Sequence, residues 1–201
     1  MTDKIITISR EYGSGGRTVG ELVAKKLGVP FYDKKVVNAM AEQCGFSRAF
    51  IEEVGEYASV SNSFLYSIAV SSQSHGGINT MSTADQLYTC QFKYIRELAQ
   101  QGPCVIVGRC ADYILREEEK AFHAFVYADM DFRVKHMAEH YGKEAKAMPK
   151  WLKDKDNKRK VYYKHYTGRS WGDPHNYDIS LSTSSLGIET VADVIAELAG
   201  K

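Results

Sequence analysis

Short apolar runs alternate with longer amphipathic segments along the whole chain. The runs are short enough to be buried strands, and they lie at 5–8, 30–33, 104–107, 124–128 and 177–181. The amphipathic segments between them have apolar residues at helical spacing. Strands that alternate with helices form parallel sheets, because the intervening helix carries the chain back to the other end of the sheet. The pattern therefore predicts an α/β domain with a parallel sheet.

Several of the predicted helices have recognisable ends. The helix over 17–27 ends at Gly28, and the helix over 85–101 begins with Asp85 as its N-cap and ends at Gly102-Pro103. The apolar face of this second helix is predicted to carry Leu87, Cys90, Tyr94 and Leu98. Further helices are predicted over 34–43, 47–57 and 188–198, and a loop rich in Ser, Gly, Thr and Asn over 58–84.

Composition indicates one globular domain in a reducing compartment. The chain has 201 residues, of which 44% are hydrophobic and 25% charged, as in ordinary soluble proteins. No run approaches the ~18 apolar residues of a membrane span, and the polar N-terminus lacks a signal-peptide core. The four cysteines have no C-x-x-C spacing, and Cys104 and Cys110 are expected to pack as small buried groups. We therefore expect a cytoplasmic protein with reduced cysteines and no membrane partner.

Positive charge is concentrated near the C-terminal end of the chain. The net charge is +1, but residues 143–176 contain ten Lys or Arg against four acids. Such a run is either a solvated helix face or a basic arm that meets phosphates. Nucleic-acid binding through this arm is the least favoured function, because the chain as a whole is nearly neutral.

A glycine-rich segment follows the first predicted strand. Residues 11–18 match the phosphate-binding pattern Gly-x-x-x-x-Gly-Lys-[Ser/Thr] with two departures, since Glu11 replaces the first glycine and Arg17 replaces the lysine. Glycines let backbone N–H groups converge on an anion, and the following helix adds the partial positive charge of its N-terminus. The segment is interpreted as a phosphate loop, with a plain strand-to-helix turn as the alternative.

Other candidate ligands follow the remaining strands. Asp33 ends the second predicted strand, Gly108-Arg109 the third, and Asp129 and Arg133 follow the fourth. Parallel sheets bind their ligands beyond the carboxyl ends of the strands. The sequence therefore predicts that phosphate ligands and acids meet at one edge of the sheet.

Together these residues resemble the P-loop nucleoside monophosphate kinases, and most specifically the cytidylate kinase-like family. Its form of the phosphate loop is similar to Ile8-Ser-Arg-Glu-Tyr-Gly-Ser-Gly-Gly-Arg-Thr18. Gly108-Arg109 is similar to the family's Gly-Arg-Asp step, although here the acid comes three residues later, as Asp112. The resemblance implies a three-layer P-loop NTPase fold with a five-stranded parallel sheet. It also implies a single domain over 1–201, with an acceptor-binding insert at 38–102 and a basic lid at 143–176.

The resemblance also implies ATP and Mg²⁺ as cofactors and a nucleotide acceptor, CMP or dCMP. Residues implied to bind ATP are Gly13, Ser14, Gly15, Gly16, Arg17 and Thr18, and the Thr18 hydroxyl would bind Mg²⁺. Arginines implied to act on the transferring phosphates are Arg17, Arg109, Arg133 and Arg159. Residues implied to bind the acceptor are Asp33, Arg109, Asp156 and Arg159.

Alternatives remain open for both the function and the residues. The protein could phosphorylate another small molecule, or it could be a nucleotide-binding regulator with little catalysis, as Glu11 and the missing lysine would suggest. Glu11 must turn away from the phosphates or pair with Arg10 or a lid lysine. Asp112 either binds Mg²⁺ through water or caps a helix over 113–117. The aromatic residues of the lid either stack on a base or pack the lid against the body; they are Tyr162, Tyr163, Tyr166 and Trp171.

Overall fold

The computed structural model describes residues 2–33, 44–47, 51, 82–141 and 147–200 of the chain. The strands in this part of the chain are β1 (Ile5–Arg10), β2 (Phe31–Tyr32), β3 (Cys104–Val107), β4 (Ala121–Tyr127) and β5 (Ile179–Ser182). They form one sheet in the order β2-β3-β1-β4-β5, and every neighbouring pair is parallel. The prediction of an α/β domain with a five-stranded parallel sheet is confirmed.

Helices cover both faces of this sheet. Those in the described residues are α1 (Gly16–Leu27), α2 (Thr83–Gln101), α3 (Ala111–Ile114), α4 (Met130–Tyr141), α5 (Met148–Thr167), α6 (Thr183–Leu186) and α7 (Ile188–Ala199). Alternate strand residues point to opposite faces, so Ile6 and Ile8 pack against α1 and α7 while Ile5 packs against α2 and α3. The result is three layers, with β1 in the centre of the middle one. None of these helices is long and apolar enough to span a membrane.

Two details of α2 differ from the prediction. Ser82 is its N-cap and accepts a hydrogen bond from the Asp85 backbone N–H, so Asp85 lies in the first turn instead. The buried face carries Leu87 and Leu98, as predicted, together with Gln91 and Ile95, each one position away from the predicted Cys90 and Tyr94. Apolar periodicity could not identify position 91, because Gln91 is a polar residue buried in the interior.

The cysteines divide into two kinds. Cys44 and Cys90 form a disulfide, so the expectation that all four cysteines are reduced is wrong for this pair. Cys104 and Cys110 are free and buried, as expected. The absence of C-x-x-C spacing did not reveal the disulfide, because its two cysteines are 46 residues apart.

Part of the predicted acceptor-binding insert lies outside the described residues. The described part of 38–102 consists of 44–47, 51 and 82–102, including α2. The predicted helix over 34–43, nearly all of the helix over 47–57 and nearly all of the loop over 58–84 are therefore not described.

Candidate functional site

The glycine loop joins β1 to α1 at the carboxyl edge of the sheet. Gly13 and Gly15 have φ angles of +84° and +77°, which side-chain-bearing residues rarely adopt. A Cβ atom on Gly16 would lie 2.5 Å from the Cβ of Arg10, so the close approach of loop and strand requires glycine there as well. The Ser14 hydroxyl closes the loop by donating to the carbonyl oxygen of Glu11 at 2.9 Å. The loop thus presents the N-terminus of a 12-residue helix, which suits an anion.

The first turn of α1 carries the two residues expected to complete the phosphate site. Arg17 is half-exposed, and its Nε atom donates to Oδ2 of Asp33 at 2.8 Å. Its Nη1 atom donates to Oε2 of Glu21 at 3.0 Å. Thr18 is exposed beside it. A cation and a hydroxyl next to a helix N-terminus fit a nucleotide phosphate with its Mg²⁺. The Arg17–Asp33 pair also joins two residues that the sequence analysis placed after two different strands.

The turn after β3 is conformationally unusual. Gly108, Arg109 and Cys110 have consecutive positive φ angles of 78°, 60° and 56°. Such a conformation costs about 1–3 kcal/mol at each residue that is not glycine, and strain of this kind is concentrated at functional sites. The Arg109 side chain is buried, with 3% of its surface exposed. The fold therefore tolerates a strained turn that places a buried guanidinium at the carboxyl edge of the sheet.

Asp112 follows this turn and is not the cap of a helix over 113–117. The N-cap of α3 is Cys110, and Asp112 lies in the first turn with its carboxyl group buried. Its Oδ1 atom accepts a hydrogen bond from the Ser9 hydroxyl at 3.1 Å, and its Oδ2 atom accepts one from the Tyr163 hydroxyl at 2.6 Å. Burial raises the pKa of Asp112, while these two hydrogen bonds oppose the increase. Asp112 therefore connects β1, α3 and α5.

Helix α5 lies within the predicted basic lid and is called the lid helix below. Asp156 and Arg159 are buried, although most of the charged residues around them are exposed. The Nη1 atom of Arg159 donates to the carbonyl oxygen of Arg10 at 2.8 Å, and its guanidinium lies 4.9 Å from the ring centre of Tyr12. The Oδ1 atom of Asp156 accepts a hydrogen bond from the Tyr12 backbone N–H at 2.8 Å. The basic run is therefore not only a solvated face, because the lid helix packs against the glycine loop.

Arg133 and Glu11 meet beneath this contact. The Nε atom of Arg133 donates to the carbonyl oxygen of Tyr12 at 2.7 Å, and its Nη2 atom is bonded to Oδ2 of Asp156. Its Nη1 atom is 3.3 Å from Oε2 of Glu11, an oxygen that also accepts a hydrogen bond from the Ala128 backbone N–H at 3.2 Å. Glu11 thus pairs with Arg133, a partner that the sequence analysis did not name.

The aromatic residues of the lid pack it against the body of the protein. The Tyr166 ring stacks on Tyr88 with ring centres 4.0 Å apart, and Trp171 makes an edge contact with Phe125 at 5.3 Å. This is the second of the two roles considered for these residues. Sequence reasoning assigned no role to the Ser9 and Tyr12 side chains, and it did not predict that the Tyr163 hydroxyl bonds Asp112. The spacing of Tyr163 from 156 and 159 is the signal that could have placed it on their face of the helix.

A cleft lies between the turn after β3 and the lid helix. Two guanidinium groups that line it, those of Arg109 and Arg159, are both buried. A pair of buried guanidiniums suits an anion such as a phosphate group, for which arginine offers two parallel hydrogen bonds. The other residues that line the cleft are Ser9, Arg10, Gly108, Cys110, Tyr162, Tyr163 and Trp171.

The layered sheet and its glycine loop define the chain as a P-loop kinase fold. A shikimate kinase from Bacteroides thetaiotaomicron has this fold, with 16% identity, a TM-score of 0.53 and 97% of each chain covered. An uncharacterized protein from Eubacterium ventriosum is similar at 27% identity, with a TM-score of 0.73 and 98% of each chain covered.

The model of the cytidylate kinase-like family matches residues 5–185, and the chain belongs to that family. A cytidylate kinase from Methanobrevibacter smithii is 23% identical over 193 residues, which are 95% of each chain. The fold and the family support a small-molecule phosphotransferase with a P-loop for its nucleotide. Use of ATP and Mg²⁺ is a general property of such enzymes.

Proposed function

We propose that this protein transfers a phosphoryl group from Mg-ATP to a nucleoside monophosphate, with CMP or dCMP as the acceptor. The observation that supports this most is the cleft that holds buried Arg109 and Arg159 beside the glycine loop. Phosphoryl transfer needs several cations in fixed positions around negative oxygens and little covalent help from the protein. The cytidine acceptor is supported by the family to which the chain belongs and by the relative named cytidylate kinase.

On the donor side, the glycine loop would bind the ATP phosphates through Gly13, Ser14, Gly15 and Gly16. Mg-ATP supplies the phosphoryl group and a metal that neutralises phosphate charge when it is bound. The Thr18 hydroxyl would hold the Mg²⁺. Arg17 would take the place of the usual lysine, and its bond to Asp33 would keep it near the acceptor.

On the acceptor side, Arg109 would bind the acceptor phosphate with the two parallel donors of its guanidinium. Arg159 would approach the cytidine nucleotide from the lid helix, and Asp33 would lie beside the acceptor, whereas both carboxyl oxygens of Asp156 are bonded to Tyr12 and Arg133. Contact of the lid helix with the glycine loop would exclude water, which keeps ATP from being hydrolysed before transfer. Arg133 is instead bonded to the Tyr12 carbonyl oxygen and to the carboxylates of Glu11 and Asp156.

The test is nucleoside diphosphate formation from Mg-ATP with CMP, dCMP, UMP, AMP, GMP, shikimate or no acceptor. We expect turnover with CMP or dCMP, and at least ~100-fold less kcat/KM in Arg17→Ala and Arg109→Ala, because each removes a cation from the reacting phosphates. Arg116→Ala is the matched control, since Arg116 lies outside the predicted insert and lid, is exposed and pairs with Glu117. It should retain normal turnover.

Three results would contradict the proposal in different ways. Turnover only with a non-nucleotide acceptor would make the protein a kinase for another small molecule. ATP binding without turnover on any acceptor would favour a nucleotide-binding regulator. Full activity in Arg109→Ala would leave the reaction in place but remove Arg109 from it. A cytoplasmic location and the lack of a nucleic-acid partner stay predictions.

A further inference from the structure

Arg133 is held on all three of its nitrogen atoms by the protein itself. Its Nε atom donates to the Tyr12 carbonyl oxygen at 2.7 Å, Nη1 lies 3.3 Å from the Glu11 carboxylate, and Nη2 is bonded to Asp156. Its side chain is only 5% exposed. A buried guanidinium bonded to two carboxylates has its positive charge already balanced. These contacts suit an anchor better than a phosphate ligand.

Tyr12 is the point on which these contacts converge. Its backbone N–H donates to Asp156 and its carbonyl oxygen accepts from Arg133, so both polar groups of one peptide residue are fixed by the same ion pair. Its ring meets Trp151 edge-on with ring centres 5.0 Å apart and lies under the Arg159 guanidinium. Tyr12 directly precedes Gly13, the first positive-φ glycine of the loop. The shape of the loop is therefore tied to the position of the lid helix.

The contacts of Arg133 explain why glutamate can replace the usual glycine at position 11. Among the described residues, positive φ angles outside glycine occur only at Arg109 and Cys110, so the backbone at Glu11 does not require glycine. Its carboxylate is turned to Arg133 and the Ala128 N–H. Glu11 therefore supplies a bond that glycine could not make, and the bond reaches from the loop to the start of α4.

We propose that Arg133 is a positioning residue, which acts on the glycine loop through Tyr12 and is held there by Glu11 and Asp156. This group of four residues is called the latch. It holds the loop in its phosphate-binding shape when the lid helix is docked, and it makes nucleotide affinity depend on the lid. The proposal rests on the proposed function only in assigning the loop to a nucleotide.

The first test measures the latch without any nucleotide. Hydrogen exchange of the Tyr12 backbone amide, followed by NMR, reports directly on its bond to Asp156. We expect exchange to be at least about tenfold faster in Glu11→Gln, Asp156→Asn and Arg133→Lys, because each weakens a charge-assisted bond. Asp154→Asn is the matched control, since Asp154 lies on the same helix but is exposed and pairs with Lys158. Its exchange should match the wild-type rate.

The second test measures Mg-ATP binding by calorimetry, with no acceptor present. Each of the three latch variants should bind Mg-ATP about tenfold more weakly, the change expected for loss of one charge-assisted bond. The double variant Glu11→Gln/Asp156→Asn should lose less Mg-ATP affinity than the product of the two single fold-losses. The losses are not independent, because both carboxylates act through one guanidinium. Glu11→Gly, which restores the usual phosphate-loop residue, should weaken binding as well.

Three outcomes would overturn the proposal. The first is unchanged Tyr12 exchange in all three variants. The second is Glu11→Gly binding Mg-ATP as well as the wild type does. The third is a fall in kcat in Arg133→Lys with unchanged exchange and unchanged Mg-ATP affinity, which would place Arg133 on the reacting phosphates. Failure of the proposed function would instead appear as a wild-type protein that binds or turns over no nucleotide, and the exchange measurement would still decide the latch.

Discussion

Removal of the Tyr163 hydroxyl tests how the lid helix is joined to the body. In Tyr163→Phe the ring stays in place, while Asp112 loses the donor at 2.6 Å and keeps only the Ser9 hydroxyl at 3.1 Å. Both carboxyl oxygens of Asp112 accept hydrogen bonds, which suits the ionised form, and 2.6 Å is typical of a hydroxyl bonded to a carboxylate. A hydrogen bond to a charged group contributes about 1.5–3 kcal/mol. We expect the free energy of unfolding to fall by that amount at a pH at which Asp112 is ionised.

The loss should depend on pH in a definite direction. Burial raises the pKa of Asp112 above its ordinary value, and the Tyr163 hydroxyl opposes this by stabilising the charged form. The folded chain therefore holds this proton more tightly than the unfolded chain, and the stability that the neutral carboxyl contributes is lost as pH rises through the raised pKa. Tyr163→Phe raises that pKa further, so its deficit is largest at high pH. When Asp112 is protonated at low pH, the deficit should shrink to about 1 kcal/mol, the contribution of a neutral hydrogen bond.

The assay is urea unfolding at a series of pH values from acid to alkaline, followed by circular dichroism. Tyr127→Phe is the control, because its side chain is exposed on β4 and its substitution should change stability by less than ~0.5 kcal/mol. A deficit that shrinks as pH rises would refute the reasoning, since it would mean that the hydroxyl stabilises the neutral carboxyl group and not the charged one. No deficit at any pH would refute the hydrogen bond itself.

Three further predictions concern the loop, the disulfide and a helix cap. Gly16→Ala should lower the free energy of unfolding by about 1–3 kcal/mol, because its methyl group would overlap Arg10, and an unchanged urea midpoint would contradict the close approach. Thiol titration of the denatured chain should find two thiols before reduction and four after it, and reduction of Cys44–Cys90 should cost up to about 4 kcal/mol for a loop of this length. Ser82→Ala should lower the free energy of unfolding, measured by thermal unfolding, by about 1 kcal/mol, and Ser82→Gly by only a few tenths. Equal losses in the two variants would contradict the cap.

The sequence was sufficient for the fold and for the edge on which the site lies. Each strand is an apolar run between turn residues, and that local pattern survives in the structure because both faces of the sheet are buried. The position of Arg109 also followed from this pattern, since ligands gather where parallel strands end. Its strained backbone did not, because neither arginine nor cysteine is a residue type that signals a positive φ angle.

The bonding partners of the charged residues could not be predicted from local sequence patterns. Arg133 and Tyr12 are 121 residues apart, and Asp156 and Tyr12 are 144 apart, so no spacing along the chain relates them. Glu11 looked like a defect in a phosphate loop because its partner lies on another helix. Gln91 shows the same limit inside the core, where its oxygen accepts a long hydrogen bond from the Tyr162 hydroxyl at 3.4 Å. The burial of a polar side chain can be predicted only when the distant residue that bonds to it is known.

The strand order has a consequence for how the protein is made. β1 precedes both of its neighbours along the chain by a long distance, since Ile5 pairs with Cys104 on one side and Ala121 on the other. The long segment between β1 and β3 must therefore be synthesised before the strand that carries the glycine loop has either neighbour. Pairings between such distant residues form slowly, and an unpaired apolar strand is prone to aggregate while it waits. Changes in β3 or β4 should therefore reduce the yield of folded protein from newly made chains before they reduce the stability of molecules that have already folded.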